Sequence, residues 1–243
     1  MALQEEFEHE GNWLFRYRSY LPISLLVIGL GISTLTRDTM PHYWGAYQYI
    51  CLLVSLTGVV VRIFTVGHTP AGTSGRNTKA QVAECLNTTG IYSVVRHPLY
   101  LGNFLIYLGI AMLTFSLSFV MIFALVYWLY YERIMYAEEK FLRKKFGIVY
   151  EAWANVTPAF VPRIKAYRRA AINFSWRKVL KKEKNGVFAM FAVFCLFDIV
   201  NIRIGEEQEA NFPIFIMCGV ACMAYFILKY MKKRTHVLDE TGR

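Results

Sequence analysis

Residues 99–136 read LYLGNFLIYLGIAMLTFSLSFVMIFALVYWLYYERIMY, with Glu132 and Arg133 as their charged positions. As unbroken helix this stretch would be about 57 Å long at ~1.5 Å per residue. That is too long for one crossing of a hydrocarbon layer roughly 30 Å thick and too short for two full ones. Phe115-Ser116-Leu117-Ser118 is the natural break, which predicts a tight hairpin of two slightly short membrane helices, 99–115 and 118–136. Outward from the hairpin, further apolar stretches lie at 20–36, 45–66, 186–201 and 212–230. Six membrane helices are therefore expected. With 56% hydrophobic and 16% aromatic residues, the chain reads as an all-α polytopic integral membrane protein, one membrane domain over 1–243, and not as a soluble core.

A formal charge of +10 invites a nucleic-acid reading until the charges are placed on the spans. With both termini cytoplasmic, all of the 27 Lys and Arg except Arg37 and Arg203 fall on the inner side or at its boundary. The positive-inside rule then accounts for the basicity, and no nucleic-acid partner is called for. Met1–Glu10 carries four glutamates and no cleavage signal follows, so the first apolar stretch is expected to stay as an anchor. Cys51, Cys195, Cys218 and Cys222 fall in spans and Cys85 in a loop, without Cys-x-x-Cys spacing. They read as small buried hydrophobes, and no metal site is expected.

Two long inner segments remain. Residues 67–98 open with Gly67-His68-Thr69-Pro70-Ala71-Gly72-Thr73-Ser74-Gly75, a stretch that reads as a mobile loop and lacks the Walker spacing of a phosphate loop. In 137–185, Leu142, Phe146, Val149, Tyr150 and Trp153 recur at helical spacing, predicting an interfacial amphipathic helix. Pro158 and Pro162 end it. Residues 163–185 form a basic juxtamembrane segment with Phe174 and Trp176, read first as a topology signal and second as a binder of anionic lipid headgroups. The Asn-x-Ser/Thr sites at Asn87, Asn155 and Asn173 lie on the inner side and are expected to stay unmodified.

Polar groups concentrate at the two ends of the hairpin. Arg96-His97-Pro98-Leu99-Tyr100-Leu101-Gly102 precedes and opens its first helix. Pro98 suits the first helical position, and the free N–H groups there, with the positive helix end and Arg96, should make an anion corner. Gly102 and Gly109 present a small face, open to a ligand or to another helix. Glu138-Glu139 returns to the same membrane side and suits an ammonium, a sulfonium or a ribose. Each residue alone is explained by interfacial anchoring or helix-dipole preference. Together they outline a pocket for a zwitterionic, nucleotide-like ligand.

The block Gly90-Ile91-Tyr92-x-x-x-Arg96-His97-Pro98-x-Tyr100-x-Gly102 is similar to one in the isoprenylcysteine carboxyl methyltransferases and their phospholipid methyltransferase relatives. A second, Glu138-Glu139-x-x-Leu142-x-x-x-Phe146-Gly147-x-x-Tyr150-x-x-Trp153 with Thr157-Pro158-x-x-x-Pro162, resembles that family's other block. Trp153 stands where a tyrosine is more usual. The resemblance covers 90–162, the expected cofactor-binding core, and implies S-adenosylmethionine-dependent methyl transfer, on the cytoplasmic side, to a lipid or lipidated acceptor. By the same carry-over, Tyr92, His97, Tyr100, Gly102 and Glu139 would contact the cofactor. Arg96 and Glu138 would be the catalytic pair, Arg96 orienting an anionic group and Glu138 able to take a proton from an amine acceptor. The readings set against this one are a nicotinamide-dependent membrane reductase of the steroid reductase type and a non-enzymatic membrane scaffold.

Overall fold

The computed structural model describes residues 2–36, 44–70, 73, 81, 83–204 and 210–240. The described residues are helical and contain no strand: α1 (Leu3–Tyr17), α2 (Leu21–Leu35), α3 (Trp44–Gly67), α4 (Pro98–Met112), α5 (Leu117–Phe146), α6 (Ile148–Val156), α7 (Trp176–Ile204) and α8 (Phe212–Arg234). Arg37 and most of the loop expected at 67–75 lie outside the described residues, as does the side chain of Arg203.

Among the described residues four helices are long and apolar enough to cross a membrane: Gly45–Gly67, Leu117–Phe146, Trp176–Ile202 and Phe212–Arg234. A fifth arises if α1 and α2, bent by 71° to each other, make one crossing. Length and composition do not confirm the expected six, because α2 and α4 have 15 residues each, about 22 Å of helix against a layer of roughly 30 Å. The bundle is that of an integral membrane protein. Leu125, Leu129, Ile216, Val220 and Phe226 stand exposed on its outer faces, where lipid is the solvent that suits them.

The hairpin turns where the sequence breaks. Phe115 takes a φ of 50°, and Ser116 Oγ accepts the Phe119 N–H at 3.3 Å, capping α5. Its arms are unequal, however: α5 has 30 residues and runs past the apolar stretch, carrying Glu138 and Glu139 on a continuous helix. The expected amphipathic helix over 142–153 is divided. Leu142 and Phe146 are the end of α5, while Val149, Tyr150 and Trp153 belong to α6. Gly147 makes the break, with φ 53°, a conformation that glycine adopts without strain. Its N–H bonds back to Arg143 O at 2.9 Å.

Helix α1 lies antiparallel along the C-terminal half of α5, tied by Glu8–Lys140 at 2.5 Å and by Glu10 on Arg133. Helices α3 and α4 meet on a seam of small residues. A Cβ on Gly102 would come 2.6 Å from Arg62 Cγ and 2.9 Å from Gly58 O, so the seam closes only where side chains are missing. Ser55 Oγ donates across it to Ile106 O at 2.9 Å. At the opposite end from the glutamates, Asp198 of α7 accepts from Gln48 Nε2 of α3 and from the Asn211 N–H that opens α8, both at 2.9 Å. That buried carboxylate has partners from two other elements, as one inside a membrane must.

Candidate active site

The two ends of the hairpin do return to one place. His97 is the N-cap residue of α4, with φ −118° and ψ 60° before Pro98, and Glu139 lies on α5 about two turns from its end. His97 Nε2 and Glu139 Oε1 are 2.9 Å apart, and Arg96 Nη1 donates to Glu139 Oε2 at 3.0 Å. Tyr100 Oη donates to Glu138 Oε2 at 3.0 Å, with His97 Nδ1 3.7 Å from the same oxygen. The His97 and Tyr100 rings stack with centroids 5.7 Å apart. Five of the seven residues singled out from sequence thus form one bonded cluster.

The anion corner takes a different form from the one expected. The N–H groups of Arg96 and His97 are engaged by Pro158 O at 2.9 Å and Ala159 O at 3.2 Å, and Arg163 N–H returns to Val94 O at 3.0 Å. The proline-bounded segment after α6 therefore straps the motif to the bundle and uses the backbone donors itself. Arg96 is paired with Glu139, not left as a bare charge.

This cluster forms one wall of a cavity of about 390 Å³, a size that suits a small organic ligand. Tyr92, Arg96, His97, Tyr100, Glu138 and Glu139 line it, whereas Gly102 does not. Gly102 is turned towards α3, where its missing side chain leaves room for Arg62. Sequence reasoning also missed several wall residues: Phe15 and Arg18 from the α1 end, Arg62 from α3, Asn103 from α4, and Lys182 and Glu183 from α7. Trp153, the departure from the usual tyrosine, lines the cavity and donates from Nε1 to Tyr92 O at 3.0 Å.

Burial pushes the phenols of Tyr92 and Tyr150 well above their ordinary range, and the nearby charges of Glu138 and Glu139, respectively, push the same way. Both are neutral donors at physiological pH. Arg96 Nε and Tyr150 Oη are buried without a hydrogen bond of full geometry among the described residues, the phenol lying beside Glu139 and Arg96. Two orphaned donors on residues that line a cavity are what a polar ligand would satisfy. With Glu138 and Glu139 they form a donor and acceptor set that fits a zwitterionic ligand carrying both carboxylate and cation. Among the described residues no group of three His, Cys, Asp or Glu side chains could hold a metal ion.

Fold and cavity define a class: a helical integral membrane protein whose polar site sits at one end of an apolar bundle. Residues 47–148, from α3 to the start of α6, match the model of the phospholipid methyltransferase family. It is 38% identical over 127 residues to the cobalt-zinc-cadmium resistance protein CzcN of Cupriavidus metallidurans, covering 51% of this chain and 56% of that protein. Against the protein-S-isoprenylcysteine O-methyltransferase of Schizosaccharomyces pombe the identity is 38% over 79 residues, 32% of this chain and 34% of the relative. Against that of Saccharomyces cerevisiae it is 32% over 116 residues, 47% of this chain and 48% of the relative. The chain spans about half, or less, of the length of these relatives. No solved structure matches it.

Proposed function

We propose that the chain transfers a methyl group from S-adenosylmethionine to a membrane-embedded acceptor, a lipid headgroup or phosphate or a prenylcysteine carboxylate. One observation carries the reading: Arg96 and His97 on Glu139, and Tyr100 on Glu138, meet on the wall of one cavity, in a chain whose residues 47–148 match the phospholipid methyltransferase family. The two isoprenylcysteine methyltransferase relatives support it.

When bound, S-adenosylmethionine supplies a methyl carbon that takes an acceptor lone pair as the C–S bond breaks, its electron pair staying on sulfur. The chain's residues bind, orient and exclude water. Glu139, already carrying His97 and Arg96, and Glu138 set a negative potential that favours a cation in the cavity. Tyr92, His97 and Tyr100 give polar edges and aromatic faces to the cofactor site. Arg96 Nε and Tyr150 Oη stand ready as donors to an anionic group. If the acceptor is an anion, alignment suffices and no general base is needed. An amine would hand its proton to Glu138.

Residues 90–162 are the cofactor-binding core in this reading, and 163–185 a basic segment that gathers anionic lipids. The clusters Arg143-Lys144-Lys145 and Lys232-Lys233-Arg234 end α5 and α8 and, by the positive-inside rule, support a cytoplasmic site and cytoplasmic termini in this reading.

Membranes containing the protein, incubated with methyl-labelled S-adenosylmethionine, should incorporate label into a lipid or lipidated fraction. His97→Ala should cut this at least about tenfold, the effect of losing one charge-assisted hydrogen bond. No incorporation by wild type would overturn the reading.

A further inference from the structure

We infer that Arg62 binds the head of the acceptor and that Asn103, Glu183 and Gly102 position it. This rests on the methyl-transfer reading and concerns other lining residues of the cavity that holds Glu138 and Glu139. Arg62 lies on α3, five residues before its inner end, about 7.5 Å into the bundle at ~1.5 Å per residue. Glu183 of α7 accepts from its Nε at 2.8 Å and its Nη2 at 2.9 Å, a two-point pairing that fixes the guanidinium plane. Asn103 Oδ1 of α4 accepts from Nη1 at 2.5 Å.

A staple between helices would explain the pair if it were sealed, although a buried ion pair adds little stability over apolar packing. It is not sealed. Arg62, Asn103 and Glu183 all line the cavity that holds His97 and Glu139, and Lys182 lines it beside them. A guanidinium carries five N–H bonds. The three hydrogen bonds above use three of them, leaving one on each terminal nitrogen for a further oxygen. The side-chain stem reaches this position across Gly102, where any Cβ would lie 2.6 Å from Arg62 Cγ. The motif glycine thus serves the site at one remove: it lets α3 deliver a cation to the cavity. Because the guanidinium is held before any ligand arrives, it suits a planar or tetrahedral anionic oxygen group. The acceptor class is therefore an amphiphile whose head bears a carboxylate or a phosphate.

The test uses the purified full chain in lipid nanodiscs, with two acceptors that separate the sources of that chemistry: an S-farnesylated cysteine with a free carboxylate, and a phosphatidate. Initial rates are measured against each acceptor and against S-adenosylmethionine, and cofactor affinity is measured by direct titration. Arg62→Gln should raise KM for the preferred acceptor at least tenfold while the cofactor Kd stays within twofold. Arg62→Lys should not rescue it, because an ammonium cannot make the fork. Arg62→Gln combined with Glu183→Gln removes both charges, guards against misfolding from an unpaired glutamate, and should keep cofactor affinity with the same raised KM. Gly102→Ala should show the same split.

An acceptor KM unchanged in Arg62→Gln, or a cofactor Kd that rises in parallel with it, overturns the inference and leaves methyl transfer standing. Wild-type cofactor binding without transfer to either acceptor overturns the anionic-oxygen class. Wild-type protein that neither binds the cofactor nor transfers a methyl group overturns the methyl-transfer reading and this inference with it.

Discussion

Glu139 is where the site's electrostatics meet. Its two oxygens serve separate partners, His97 and Arg96, so changing its charge disturbs both at once. Glu139→Gln keeps the shape and should lower methyl transfer more than tenfold, at a cost of about 1.5–3 kcal/mol for a charge-assisted bond, with circular dichroism unchanged. Tyr150 should behave otherwise. Its hydroxyl lies beside Glu139 and Arg96 without a hydrogen bond of full geometry, so Tyr150→Phe should move the melting temperature little. The same change should weaken cofactor affinity severalfold, which titration would read.

The residues legible in the sequence were those whose role is local: His97 before Pro98, and two glutamates side by side. Arg62, Asn103 and Glu183 were not, because their meeting depends on three helices from distant parts of the chain. The use of the Arg96 and His97 N–H groups by residues 158 and 159 was hidden for the same reason.

At the scale of elements, the hairpin was readable because a 38-residue apolar stretch must turn, and Ser116 is a good cap. The inequality of its arms was not readable, since helical periodicity continues smoothly from the lipid-facing part of α5 into the part that meets α1. The division at Gly147 was masked likewise: an apolar spacing of three and four residues persists through the break. Gly147→Ala should cost about 1–3 kcal/mol through its positive φ, lowering the melting temperature by several degrees and weakening the α6 contacts of Trp153. The tail after α8 offers a pH test. Hydrogen bonds from Lys181 and His236 hold the Asp239 carboxyl below its ordinary range, with Lys181 Nζ at 2.6 Å. A depressed carboxylate stabilises the folded tail above its unfolded pKa and loses that effect as pH falls through the folded value. Proteolysis of the tail should therefore rise in acid below the usual carboxylate range, and Asp239→Asn should show the same exposure at neutral pH.

For the molecule as a whole, composition was enough to read a helical membrane bundle but not to fix the number of crossings, since four helices, or five with the bent pair, are long and apolar enough among the described residues. Helices such as α2 and α4 are fully apolar yet shorter than a full span, so in the proposed orientation α4 crosses as the short arm of the hairpin. The proposed orientation gives a separate expectation. In sealed vesicles of known sidedness, Cys85, exposed in the loop that borders the cavity, should react with an impermeant maleimide from the cytoplasmic face. A cysteine at Leu117, 75% exposed at the hairpin turn, should react from the other face. Labelling of both from one side would contradict the topology.

The most direct measurement is equilibrium binding of labelled S-adenosylmethionine to the purified chain in nanodiscs, wild type beside Glu139→Gln. One saturable site per chain, displaced by S-adenosylhomocysteine and lost in a variant that stays folded by circular dichroism, is the result expected of a cofactor held between His97 and the paired glutamates. Absence of saturable binding, or equal binding by the variant, would contradict it.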